Sequence, residues 1–123
     1  MNSYSLAERI NSDVNASVTY KTDLEQYDTP EIWREAGSFG DCEDYALLKR
    51  QRLLEAGFAR KDLHLACCWV ETEAYHCVLL CNTSKGWFVL DNRYNWPMTP
   101  KSLHYRWDKA LDEVDGKWYV LSF

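Results

Sequence analysis

The sequence has few chain-breaking residues: Gly 5 and Pro 3 among 123 residues, with no tract rich in Gly, Pro or Ser. It lacks a linker, an internal repeat and a low-complexity segment, and so reads as one domain spanning residues 1–123. Long apolar runs are also missing. The longest, Cys77 to Cys81, is strand-sized, which argues against a membrane-spanning helix. The opening residues, Met1 to Arg9, have neither the basic start nor the apolar core of a secretion signal, so a cytoplasmic protein is expected. Positive charge is in deficit: Lys+Arg 14 against Asp+Glu 19 gives a net charge of −5, the wrong sign for nucleic-acid binding. The basic cluster Lys49-Arg50-Gln51-Arg52 falls on a predicted helix, where it reads as a solvated face. The five cysteines cannot all pair, and Cys67 and Cys68 are adjacent, which argues against a disulfide framework and for reduced thiols.

What remains is an ordinary folded composition, 46% hydrophobic and 27% charged. At 14.5 kDa, folding buries about two thirds of the chain's surface, enough core to need neither disulfides nor a structural metal. A monomer is expected.

Helices come first and strands after. Leu6, Ala7 and Ile10 at helical spacing predict a helix over 3–11, with Ser3 as its cap, while 15–22 is ambiguous. Thr29-Pro30-Glu31 starts a short helix through Trp33, stopped by Gly37. The best-defined helix runs from Cys42 to Glu55 between Gly40 and Gly57, with Asp41 able to cap it. Runs at 63–70, 75–82 and 86–91, separated by short polar segments, read as an antiparallel meander. Residues 107–111 read as helical and 117–123 as a final strand. The fold class is α+β.

Cys42 stands out. It opens a helix, where free backbone N–H groups and the helix dipole favour a thiolate and can stabilise an oxyanion. A cysteine there is often only a small core residue. Its standing rises with His76 near the start of the second strand and Asp91 at the end of the third. Neighbouring strands can set imidazole and carboxylate side by side, giving nucleophile, base and a group that orients the base.

The surroundings of these residues match in order. They are Ile10-Asn11, Val14-Asn15, Val18-Thr19-Tyr20, Asp23 and Trp33, then Gly40-Asp41-Cys42-Glu43-Asp44-Tyr45-Ala46 with Leu48-Lys49 and Leu53-Leu54-Glu55-Ala56-Gly57. His76-Cys77-Val78-Leu79-Leu80 and Leu90-Asp91-Asn92 complete the series. Together they resemble the bacterial transglutaminase-like cysteine peptidases, periplasmic proteases that release biofilm adhesins. The resemblance implies a papain-like, transglutaminase-like core with Cys42 as nucleophile, His76 as general base and Asp91 as orienting carboxylate. Family members usually carry a secretion signal, and Cys77 stands where many have Met.

The resemblance also implies calcium at the acidic block Asp41, Glu43 and Asp44, whose hard oxygens suit it. The plainer reading is a helix cap and two acids favouring the helix's positive end. Anions this close oppose a thiolate at Cys42, and a bound cation would relieve that conflict. A zinc reading of His64, Cys67, Cys68, His76, Cys77 and Cys81 fails on strand alternation, which sends adjacent residues to opposite faces; buried thiols account for them better. Trp69, Trp87 and Trp118 are expected in the core. Tyr94 and Trp96, just after Asp91, are candidates to line a cleft, and Trp33 and Asn92 to supply or support an oxyanion donor.

The expected activity is hydrolysis of a peptide bond in a protein or peptide substrate through a thioester. The same triad serves a transglutaminase, a deamidase or a cell-wall peptide amidase. A protein-binding module that processes nothing is the non-enzymatic rival.

Overall fold

Two helices on a five-stranded antiparallel sheet dominate the computed structural model, which describes residues 2–17, 19–20, 39–40, 42–112, 114–121 and 123. The expected helix over 30–33 lies outside the described residues, as do Trp33 and Asp41. Helix α1 spans Ser3–Ser17 and buries Ala7, Asn11 and Val14, one stripe at helical spacing. It is capped by Asn2, whose Oδ1 accepts the Ser5 N–H at 2.8 Å, and not by Ser3. It also runs past Asn11, because the polar Asn11 belongs to its buried face. Strands β1 (Thr19–Tyr20) and β2 (Phe39–Gly40) form a small parallel pair leading into helix α2, Cys42–Glu55.

The end of α2 follows from its sequence. Gly57 takes φ 106, its N–H bonds Leu54 O, and the Phe58 N–H bonds Leu53 O, each at 3.0 Å. This left-handed stop satisfies carbonyls that the helix would otherwise leave open, and Phe58 folds back onto the core.

The sheet has the order β5-β4-β3-β6-β7, with β3 Leu63–Trp69, β4 Tyr75–Thr83, β5 Gly86–Leu90, β6 Arg106–Asp112 and β7 Lys117–Val120. The meander β3-β4-β5 is as expected. Residues 107–111 are strand and not helix. They pair with the second edge of β3 through a register shift between Cys67 and Cys68, and all of Trp107 to Leu111 are half-buried, without the alternation that marks a strand. The final strand ends at Val120, short of Phe123.

One face of the sheet packs against both helices through Leu63, Leu65, Leu79, Cys81 and Leu90 with Ala7, Ala46 and Leu53. The other carries Ala66, Cys68, Val78, Leu80 and Val89 and is covered partly by Leu103, Tyr105 and Met98 of the connection to β6. The tryptophans expected in the core lie outside it: Trp69 is half-buried, and Trp87 and Trp118 are 39% and 43% exposed. No helix among the described residues is long and apolar enough to cross a membrane.

Candidate active site

Strand register brings His76 and Asp91 together. Leu90 of β5 pairs with Leu79 of β4, so continuing one residue sets Asp91 across from Val78. Side chains alternate along a strand, which puts Asp91 on the same face as Val78 and His76. The His76 Nε2–Asp91 Oδ1 distance is 2.8 Å, and the two residues are 8% and 1% exposed. An ionised carboxylate only accepts, so Nε2 carries the proton toward Asp91 and Nδ1 is the nitrogen left to act as a base.

Asp91 is held on every side. Its Oδ1 also accepts the Arg93 backbone N–H at 3.0 Å, and its Oδ2 accepts the Tyr105 hydroxyl. Burial pushes the Asp91 carboxyl up, but the His76 hydrogen bond and charge, with Tyr105 and Arg93, outweigh it and hold Asp91 below the usual range. Tyr105 is itself fixed by Arg93, whose Nη1 donates to its hydroxyl at 3.1 Å. Arg93 in turn grips Glu71 with both terminal nitrogens, and the guanidinium draws that carboxyl down to about 2. From the helix side, Asn11 Nδ2 donates to Tyr94 O at 3.0 Å, and Asn15 Nδ2 to Asp91 O at 3.0 Å and Tyr94 O at 2.8 Å. Thus α1 clamps the turn that carries the carboxylate.

Cys42 is the first residue of α2, and it lines one cavity of about 350 Å³ with His76, Asn92 and Arg93. Its thiol donates to Glu43 Oε2 at 3.5 Å. Asn92, the candidate to support an oxyanion donor, is on this wall, whereas the expected cleft residues Tyr94 and Trp96 are not among its lining. Tyr94 packs under the sheet and Trp96 is 56% exposed. A more apolar hollow of about 320 Å³, bounded by His64, Trp87, Asp112, Tyr119 and Phe123, carries no thiol, and its His64 Nδ1 lies 3.1 Å from Leu111 O.

Of the acidic block, Glu43 is half-buried beside the Cys42 thiol and Asp44 is fully buried. Among the described residues no group of three His, Cys, Asp or Glu side chains is placed to hold a metal ion. The donor chemistry itself, carboxylate oxygen, is what calcium takes.

Tyr105, Arg93, Glu71 and the two asparagines were not legible as site residues. Asn11, Asn15 and Lys49 stood in matched motifs without a role. Lys49 sits in the middle of α2 with 0% exposure, and its Nζ has no hydrogen-bond partner among the described residues. Burial lowers its pKa to about 7, against the opposing pull of Asp91. The unfolded chain, with lysine near 10.4, then holds more protons than the folded one between about pH 7 and pH 10. Stability therefore rises with pH across that window, by up to about 1.4 kcal/mol per pH unit. Lys49→Met is expected to flatten this rise in urea melts taken at pH 7 and pH 9.5; an unchanged slope would mean that Lys49 stays protonated in the fold.

The family model for the bacterial transglutaminase-like cysteine proteinases matches residues 2–122. Among solved structures, calcium-bound LapG of Legionella pneumophila superposes with a TM-score of 0.76 at 21% identity, over 93% of this chain and 66% of that one. EGTA-treated LapG gives 0.76 at 20% identity, over 95% and 66%. The chain thus spans 66% of LapG's length, and at this identity the likeness is one of fold. Among curated protein sequences nothing matches.

Proposed function

The chain belongs to the bacterial transglutaminase-like cysteine proteinase family, and on that premise we propose that it is a cysteine peptidase acting through Cys42, His76 and Asp91. The observation that carries this reading is the buried 2.8 Å bond between His76 Nε2 and Asp91, beside a cavity that Cys42 also lines. With Nε2 tied to the carboxylate, Nδ1 takes the Cys42 proton and the sulfur attacks the scissile carbonyl carbon. The tetrahedral oxyanion is met by backbone N–H groups at the start of α2, supported by Asn92 and by Trp33, which lies outside the described residues. Collapse breaks the C–N bond, and the imidazolium gives its proton to the leaving amine. Water, deprotonated by His76, then attacks the thioester, releasing the acid and restoring the thiol. A protein substrate follows from the proteinase family.

The test compares hydrolysis of an unfolded protein substrate by the chain and by its Cys42→Ala variant. Undiminished hydrolysis by the variant overturns the reading.

Calcium enters by the same route, since one of the LapG structures is calcium-bound. Asp41, Glu43 and Asp44 are the residues that would hold it. A cation held there would supply positive charge beside Glu43, whose carboxylate accepts from the Cys42 thiol, and would offset an anion that opposes the thiolate. The expected result is a Tm that is higher with added calcium than with EGTA, the stabilisation amounting to about 2.7 kcal/mol at a hundredfold excess over Kd. Identical melts in both would argue decisively against the site.

A further inference from the structure

Three of the five cysteines gather at the nucleophile. Cys67 of β3 and Cys77 of β4 are direct cross-strand partners, and with Cys42 they form one buried cluster. The remaining two are apart: Cys81 is in the core under the helices and Cys68 is on the opposite face of the sheet. All five are free thiols. Access separates the three in the cluster. Cys42 opens onto the cavity, whereas Cys77 is 4% exposed and absent from the cavity wall, so a small oxidant in the cavity meets Cys42 first. The Cys77 side chain is hydrogen-bonded to that of Cys67. Cys67 is the stronger acid of that pair, held down at about 7, first by the bond from Cys77, while Cys77 is raised by the same bond and by burial. The Cys77 proton therefore leaves only as its sulfur attacks, taken by the hydroxyl that departs from Cys42.

We propose that Cys77 is the resolving thiol for Cys42, so that peroxide converts the nucleophile into a reversible Cys42–Cys77 disulfide. This rests on the reading of Cys42 as the nucleophile. In the first step the Cys42 sulfur attacks a peroxide oxygen; an S–O bond forms, the O–O bond breaks, and hydroxide leaves with the thiol proton as water. In the second, the Cys77 sulfur attacks the sulfenic sulfur of Cys42; an S–S bond forms and the S–O bond breaks. The departing hydroxyl takes the proton that Cys77 loses and leaves as water. Two thiols lose two electrons in total, and peroxide is reduced to two waters. A dithiol reductant reverses the state by exchange. Without a resolving thiol, Cys42 continues to sulfinic and sulfonic acid, which such reductants do not reverse.

The experiment treats the folded full chain with a small excess of hydrogen peroxide, blocks the remaining thiols, and maps the products by mass spectrometry. The expected product is a Cys42–Cys77 linked peptide that dithiothreitol removes. In Cys77→Met, and in Cys77→Ala in case the longer side chain prevents folding, Cys42 should instead gain oxygen and lose its reductant-recoverable fraction. A linked Cys67–Cys77 pair that omits Cys42, equal over-oxidation of Cys42 with and without Cys77, or no product at all would each overturn the proposal. The mapping needs no substrate, so it stands apart from the peptidase reading. A disulfide formed in a chain that hydrolyses nothing would sink that reading alone, and an active enzyme without the disulfide would sink only this inference.

Discussion

Cys42→Ala is expected to lower kcat for peptide hydrolysis by roughly four to six orders of magnitude, because water in the cavity cannot replace a positioned sulfur. The expected change in stability is small, no more than about 1–2 kcal/mol, since the substitution removes one sulfur from the edge of a thiol cluster and alanine suits the helix. That contrast makes the variant informative: activity vanishes while the melt barely moves. His76→Ala should cost nearly as much, and Cys42→Ala combined with His76→Ala little more than either alone, because nucleophile and base act as one unit. Variant activity within about tenfold of the parent, with contaminating protease excluded, would place the chemistry elsewhere.

Asp91→Asn carries the second largest expected effect, a loss of roughly 10²–10⁴ in kcat. The amide can be set in two ways, and both fail. If its oxygen faces His76 Nε2, its NH₂ faces the Tyr105 hydroxyl, which already receives Arg93 and is left with no acceptor for its own proton. If its NH₂ faces Nε2 instead, the imidazole proton must move to Nδ1, the nitrogen that has to accept from Cys42. Selective alkylation of Cys42 should slow along with kcat. Tyr105→Phe should be milder, about tenfold or 1.4 kcal/mol in the barrier, since Asp91 keeps two of its three donors. Asp91 also titrates below its ordinary value, so its contribution to stability is present above about pH 4 and is lost as pH falls through the lower folded value. Asp91→Asn should therefore weaken the acid limb of the melting profile; an unchanged limb would mean that the carboxylate is not the acid-sensitive group.

The nucleophile helix was legible because its boundaries are chemical: glycines on either side and a stripe of Ala46, Leu47, Leu53 and Leu54 between them. The meander was legible because polar turns separate its apolar runs. The proposed triad draws on one helix start and two strand ends, positions that the sequence itself marks. Residues 107–111 misled because Trp107, Ala110 and Leu111 have helical spacing, while what makes them a strand is the open edge of β3, which no local pattern records. Helix α1 was read short because Asn11, Ser12 and Asp13 resemble an ending. Asn11 points inward only because the Tyr94 carbonyl awaits it, a contact 83 residues away. Tyr105 and Arg93 were invisible for the same reason: their role comes from partners distant in the chain.

The asparagine clamp bears on when the site comes into being. A growing chain presents its amino end first, so Asn11, Asn15 and Cys42 are made long before Asp91 and Tyr105. The carboxylate gains its backbone anchor only once α1 meets the 91–94 turn, and its last donor only after residue 105 has been added. A ribosome-bound nascent chain that has reached β4 holds both thiol and imidazole but not the group that orients them. On the proposed triad, full reactivity is thus withheld until residue 105 has been made, a delay written into the order of the residues themselves.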